Sequence, residues 1–363
     1  MDLYIDRVLE DYRALHRQLD PWHIPTVYIG GGTPSVLGKD NLCRLLNDLK
    51  SYGNMDNSVP YNPEEITLEV NPESINEDLL YAVRDAGVNR LSLGIQSFHD
   101  ASRKAVHRAG EGGIIDKKLK QIGRIFQDNF SADLMSGLPF QDENILRRDI
   151  EKTIESRPAH ISLYALTLEN DSVLKNKNIL DKGFLPSTDE ADKLWISGRD
   201  LLEKEGYGQY EVSNFCIPGK ESRHNLRYWR MENWLGLGPA ASSTIIDSAI
   251  GIHGTGTGLR FTNNSDLDLW LDRKSDEAPP GTREILDPLT LIKETFLMGF
   301  RYIKGPDEAL FRKRFKKNME AVIPETIKIW RTRGLMQKDT LALTKPGLLL
   351  LDSFLIDAFK ELE

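Results

Sequence analysis

Four polar residues, Thr33, Glu69, Gln96 and Asp133, fall at or just beyond the C-terminal halves of four strand-like segments, and the triplet Gly30-Gly31-Gly32 immediately precedes the first of them. Three consecutive glycines weaken any regular element and belong where backbone turns sharply or approaches a ligand closely. The triplet follows the apolar run Thr26-Val27-Tyr28-Ile29 and leads towards a helix from about Lys39 to Leu49. Free N–H groups at such a strand-to-helix turn can meet a carboxylate or another anion. The turn is not a P-loop, because Gly38-Lys39 continues into Asp40 rather than Ser or Thr, and it lacks the G-x-G-x-x-G spacing of a dinucleotide site.

The elements that must hold these residues alternate. Ile66-Thr67-Leu68-Glu69-Val70, Arg90-Leu91-Ser92-Leu93-Gly94-Ile95-Gln96, Phe130-Ser131-Ala132-Asp133-Leu134-Met135 and Ala159-His160-Ile161-Ser162-Leu163-Tyr164 read as strands, with amphipathic stretches such as 76–86 and 143–156 between them. This rhythm predicts an α/β fold of parallel strands joined by right-handed crossovers. In a (β/α) barrel the C-terminal strand ends line one mouth, where ligands bind. Farther on, His224 stands near Tyr228 and Trp229 in a segment read as a loop. A neutral imidazole is a standard ligand for heme iron, and the neighbouring aromatics could pack on a porphyrin face or serve as ordinary core.

The order and wording of the motifs resemble the oxygen-independent coproporphyrinogen III oxidase family of radical S-adenosylmethionine (SAM) proteins. The resemblance rests on Gly30-Gly31-Gly32-Thr33-Pro34, Glu69-Val70-Asn71-Pro72, the stretch Gly87 to Phe98, and Asp133-Leu134-Met135-Ser136-Gly137-Leu138-Pro139. The later runs Tyr210-Glu211-Val212-Ser213-Asn214-Phe215 and Ser222-Arg223-His224-Asn225-Leu226-Arg227-Tyr228-Trp229 are similar to one branch, the HemW-like heme chaperones. The resemblance implies that Gly31, Gly32 and Thr33 meet the methionine end of SAM, that Glu69 and Gln96 hydrogen-bond the cofactor, that Arg108 clamps its carboxylate and that Asp133 faces its adenosine part. At 106–107 this chain has Val-His where the family usually has leucine-glycine, and Gly110 stands where a histidine is common. For the chaperone branch the resemblance implies heme bound at His224, with Tyr228 and Trp229 beside it.

The family carries a C-x-x-x-C-x-x-C loop whose three thiolates hold a [4Fe–4S] cluster. This chain has only Cys43 and Cys216, so no metal ligands for that cluster are expected in it. Met1-Asp2-Leu3-Tyr4-Ile5-Asp6 resembles the family segment that follows the cysteine loop, which places the first strand and the cluster loop upstream of Met1. The chain as given is therefore expected not to cleave SAM reductively, and SAM binding is expected to be weak or lost.

Composition bounds the partners. A formal charge of −8 offers nothing to a phosphate backbone, and no apolar run approaches the length of a membrane span. Neither a secretory signal nor a disulfide framework is visible, so a cytoplasmic location is expected. The basic run Arg312-Lys313-Arg314-Phe315-Lys316-Lys317 reads as a solvated helix face with Phe311 and Phe315 turned inward together, and no nucleic-acid partner is expected.

Three parts are expected: a radical-SAM-type partial (β/α) barrel lacking its first strand and cluster loop over 1–245, a loop-rich insert and linker over 246–285, and a small, mostly helical, winged-helix-like domain over 286–363. Function follows the resemblance: a heme-binding and heme-transfer protein without radical chemistry in this chain, with a heme-accepting protein as partner and room for a homodimer. The alternative is an oxygen-independent coproporphyrinogen III oxidase, should a cysteine loop exist upstream.

Overall fold

The structure is a computed structural model that describes residues 1–18, 23–54, 61–108, 110–168, 184–246, 256–272 and 281–363. The chain forms two compact units, each discontinuous in sequence: Pro25–Cys43 with Pro63–Ser222, and Met1–Ile24 with Arg44–Asn62 and Arg223–Glu363.

The first unit is built on a seven-stranded sheet. Its parallel part runs in chain order through β1 (Thr26–Ile29), β2 (Glu65–Val70), β3 (Arg90–Gln96), β4 (Phe130–Ser136) and β5 (His160–Ala165). β7 (Asn214–Cys216) then pairs antiparallel with β5, and β6 (Gly208–Gln209) antiparallel with β7. The alternation of strands and helices read in the sequence is thus the α/β fold observed, with a mostly parallel sheet.

Successive strand residues point to opposite faces. On one face Ile66, Leu68, Leu91, Leu93, Phe130, Ala132, Ile161 and Leu163 are buried. The helices Gly112–Phe126, Glu143–Glu155 and Thr188–Lys204 lie against strands β3, β4 and β5. They contribute buried residues such as Leu119, Ile150 and Leu194. Removal of this apolar area from water is the main force holding the layers together.

The other face is different. It carries Glu65, Thr67 and Glu69 from β2, Arg90 and Ser92 from β3, Ser131 and Asp133 from β4, and His160, Ser162 and Tyr164 from β5. Parallel sheets are usually apolar on both faces. A polar face buried in the unit must be satisfied by its own hydrogen bonds or by a ligand. Tyr28 on β1 and Tyr164 on β5 lie within each other's electrostatic reach, although four strand spacings of about 4.8 Å separate them along a flat sheet. The sheet therefore curls around this polar face.

In the second unit the stretch expected to be a loop-rich insert carries strands instead. There β9 (Gly258–Asn263) and β10 (Gly281–Leu286) pair antiparallel, and β8 (Ser242–Ile246), at the end of the stretch expected to belong to the barrel, joins β9 to give the order β10-β9-β8. Turn-forming glycines and asparagines at the strand ends masked the short pairing segments. Residues 251–255 of the expected glycine-rich loop and 275–280 of the expected linker lie outside the described residues. The N-terminal helix Asp2–Gln18 belongs to this unit: Tyr4 packs on Trp270 at 5.3 Å between ring centroids, and Trp270 Nε1 donates to Asp11 Oδ2 at 3.2 Å.

The C-terminal region is helical, as expected. Its aromatic core joins Phe300 to Phe354 at 4.4 Å and Trp330 to Phe354 at 5.1 Å, and a single antiparallel bridge links Met336 to Leu343. Within the basic run, Phe311 is buried against Phe315 at 4.7 Å, and Arg314 turns inward to donate to the Met231 carbonyl at 3.1 Å.

Candidate functional site

The glycine triplet is shaped by crowding at its first position and by backbone geometry at the next two. A Cβ on Gly30 would lie 2.2 Å from the Tyr28 ring and 2.7 Å from Glu69 Oε2, so no side chain fits there. Gly31 and Gly32 adopt φ of +80° and +60°, and a Cβ on either would point into open space. The demand there is for a left-handed conformation rather than for room. The Gly31 N–H donates to Glu69 Oε2 at 3.1 Å. Glu69 thus already holds the turn, and its remaining lone pairs face the polar side of the sheet.

Thr33 follows at the start of a short 3₁₀ turn, Pro34–Leu37. Its Oγ1 accepts from Asn71 Nδ2 at 3.0 Å, and Asn71 Oδ1 accepts from Arg108 Nη1 at 3.4 Å. Gln96 arrives from the third strand at a β-bulge opposite Leu134, with φ of +68°. A left-handed non-glycine residue costs about 1 kcal/mol, and such strain concentrates at functional sites. The space above Gly94 is bordered by two amides: a Cβ there would lie 3.3 Å from both Asn71 Oδ1 and Gln96 Nε2. Asn71, lying inside a motif but not singled out by the sequence, is the bridge between Thr33 and Arg108.

Asp133 forms a separate hub on the polar face. Ser162 Oγ donates to its Oδ1 at 2.8 Å, Ser131 Oγ to the same oxygen at 3.4 Å, and Ser92 Oγ to Oδ2 at 3.1 Å. Ser92 and Ser162 also stand beside the phenols of Tyr28 and Tyr164 and act on their ionisation. A carboxylate offers about four lone-pair positions, and among the described residues the three serines occupy three of them, leaving one on Oδ2. Burial raises the Asp133 pKa, the serines oppose that, and the nearby Glu69 charge adds to it. Burial and the Glu69 and Asp133 charges likewise hold the Tyr28 phenol protonated.

Two further residues hold the loop after the third strand and escaped the sequence reading. The buried Arg103 donates to the carbonyls of Gly110, Ile95 and Ser97 and to Glu73 Oε1 at 2.9 Å. Asp149 accepts the Ser97 hydroxyl and, at 2.8 Å, the Phe98 N–H. Arg108 is exposed by contrast and reaches Asn71 beside Thr33. His107, where the family resemblance led to a glycine, has φ of +56°, the conformation that glycine adopts without strain.

His224, Tyr228 and Trp229 belong to the second unit and lie on a short helix, Arg223–Trp229, not in a loop. His224 and Tyr228, one turn apart, meet edge to face at 5.2 Å, and Tyr228 packs on Trp234 at 5.1 Å. Burial raises the Tyr228 pKa. Trp229 is rotated about 100° from Tyr228 on the helix, and its Nε1 is buried without a hydrogen-bond partner among the described residues. The pair and Trp229 therefore do not share one flat platform.

Both cysteines lie in the first unit. Cys216 is buried in β7, and burial pushes its thiol up to about 11. Cys43 is half-buried and its thiol is also raised, first by burial. Two protonated thiols do not fit a cluster that needs three thiolates. Among the described residues no helix is long and apolar enough to cross a membrane.

The profile of the Radical SAM superfamily matches residues 2–153. The chain is 32% identical over 327 residues to the heme chaperone HemW of Lactococcus lactis subsp. lactis (strain IL1403), covering 90% of this chain and 81% of that protein. It is 29% identical to HemW of Bacillus subtilis (strain 168), over 90% of this chain and 83% of the other. The mitochondrial radical S-adenosyl methionine domain-containing protein 1 of Bos taurus is 31% identical over 91% of this chain and 71% of its own length. Among solved structures, the coproporphyrinogen III oxidase HemN of Escherichia coli superimposes with a TM-score of 0.77 at 21% identity, covering 98% of this chain and 82% of that one. That likeness is one of fold.

Proposed function

We propose, for a chain that belongs to the HemW heme chaperone family within the radical SAM superfamily, a role in binding heme and handing it to an acceptor protein. The observation that carries this reading is the extent of the similarity to HemW of Lactococcus lactis. It spans 90% of the chain and so must include the segment around His224, well beyond the superfamily profile at 2–153.

In this reading His224 supplies the imidazole to heme iron, with Tyr228 setting its ring orientation through the 5.2 Å edge contact. Trp229 contributes through packing within the unit rather than as a porphyrin platform. The HemN likeness, at 21% identity, supports the barrel-type fold and no oxidase activity.

The polar face of the first unit fits a ligand of the SAM type in its donor and acceptor set: an open, left-handed glycine turn, a cation at Arg108, and one vacant lone pair on Asp133. SAM, when bound, would supply a sulfonium and an adenosine group. Gly31, Gly32, Thr33, Glu69, Gln96, Arg108 and Asp133 would orient it. The thiols present do not fit the iron–sulfur cluster. SAM affinity is accordingly low, because no cluster iron holds its amino and carboxylate groups.

Absorbance titration with hemin tests the reading. Saturable binding with a Soret shift in the wild type, lost in His224→Ala, supports it. Saturable binding that the variant retains keeps the function and removes His224 as the ligand. Absence of saturable binding overturns heme binding by this chain.

A further inference from the structure

Behind the Asp133 hub lies a chain of buried polar groups that reaches from the polar face to the N-terminal ends of the strands. The Ser222 N–H donates to the Tyr210 hydroxyl oxygen at 3.4 Å. The Tyr210 hydroxyl lies 2.9 Å from His160 Nε2, and His160 Nδ1 lies 2.8 Å from Ser131 Oγ. Ser131 then donates to Asp133 Oδ1 at 3.4 Å. Ser131, His160, Tyr210 and Ser222 are all at least nine-tenths buried.

The proton positions follow from counting donors. Each hydroxyl has one proton to give. If Ser131 gives its proton to Asp133, it must accept at His160, so Nδ1 carries the proton. Nε2 is then an acceptor, and the Tyr210 hydroxyl donates to it. Tyr210 in turn accepts from the Ser222 backbone, which can only donate. Every bond points the same way, towards Asp133, and such aligned chains strengthen one another. The opposite tautomer would force Ser131 to donate to His160 and withdraw its proton from Asp133.

We propose that His160 is a positioning residue: as a neutral ring protonated on Nδ1, it aims the Ser131 hydroxyl at Asp133 and so leaves the remaining Oδ2 lone pair as the carboxylate's single open acceptor among the described residues. The surroundings keep the ring neutral. Burial comes first, and the positive Arg90 adds to it. Arg90 is itself paired with Glu65 at 4.0 Å, whose Oε1 accepts from Ser222 Oγ at 3.4 Å. Around Asp133 the titratable groups are Glu69 from β2, Tyr28 from β1 and Tyr164 from β5. None of them replaces the Ser131 arm: the donors to Asp133 among the described residues are Ser92, Ser131 and Ser162. The relay concerns the first unit alone and does not depend on heme binding.

Nuclear magnetic resonance of the full chain, with ¹⁵N-labelled histidine and ¹³C-labelled aspartate, tests it. The expected wild-type result is a His160 signal of the Nδ1–H tautomer between pH 8 and 6. His160→Asn, whose amide can still donate to Ser131, keeps the Asp133 midpoint near the wild-type value. Ser131→Ala and His160→Phe raise it, by about tenfold in proton affinity, the size of one weakened hydrogen bond to a charged acceptor. Tyr210→Phe, which removes the donor to Nε2, introduces the Nε2–H form. A wild-type Nε2–H signal overturns the proposal, as does an Asp133 midpoint unmoved in Ser131→Ala. If His160→Phe does not fold, the wild-type tautomer and the Ser131→Ala midpoint decide the matter. A failed hemin titration would leave these results standing, and the reverse also holds.

Discussion

Gly31 donates its backbone N–H to the Glu69 carboxylate at 3.1 Å, tying the glycine turn to the end of the second strand. Gly30, one residue earlier, packs against both Tyr28 and Glu69. Gly30→Ala is expected to destabilise the protein by about 2 kcal/mol through overpacking. Gly32→Ala, with only its φ of +60° to offend, should cost about 1 kcal/mol. Urea midpoints compared at constant m-value check the order.

The two arginines after the third strand should behave in opposite ways. Arg103 fills at least four acceptors from a buried position. Arg103→Met is expected to cost about 3 kcal/mol, because carbonyls and Glu73 lose their donor. Arg108→Ala, exposed and held by one long bond, should change stability by less than about 0.5 kcal/mol. Thermal and urea unfolding of both variants would show it; a large loss in Arg108→Ala would mark it as structural.

The pH dependence of stability should carry the mark of His160, whose folded pKa is depressed well below its ordinary value by burial and Arg90. A depressed histidine contributes stability that is complete above the unfolded pKa of about 6.5 and is lost as pH falls below it. Between pH 6.5 and 5 the wild type should lose up to about 1.4 kcal/mol per pH unit more than His160→Asn. Asp133 and Asp149, both raised first by burial, act in the opposite sense in both proteins and cancel in the difference. Equal slopes in the two proteins would mean that the ring is protonated in place.

In the C-terminal helices, Glu361 caps a neighbour: its two oxygens accept the N–H groups of Glu325 and Thr326 at 2.8 and 2.7 Å, at the start of the helix Pro324–Thr332. Burial works against its ionisation, but these bonds and the Thr326 hydroxyl outweigh it and hold its pKa low. Glu361→Ala should cost about 1 kcal/mol at pH 7. A depressed carboxylate stabilises above its unfolded pKa, so this difference should shrink as pH falls below about 4.3.

Much of the first unit was legible in the chain. Period-two patterns with turn residues between them located β1 to β5, and the glycine triplet marked the first turn. The same strands also carried an unread signal: Ser92, Ser131, Asp133 and Ser162 recur on alternate positions where a parallel strand should be apolar on both sides. That alternation announces a polar face. The strands β9 and β10 were hidden because short antiparallel segments between turn formers look like loop.

Sequence alone therefore determined the elements, the apolar face and the identity of the residues at the strand ends, since these follow from local periodicity and backbone chemistry. Tertiary structure decided the partnerships. Asn71 reaches Thr33 across 38 residues and His160 reaches Tyr210 across 50, and no local pattern encodes either pairing. It also decided that Arg103 is buried and Arg108 exposed, a distinction set by how the loop folds back on the end of the third strand. Hydrogen bonds are short-ranged and directional, so which polar residues serve one another is known only when the chain has brought them within about 3 Å.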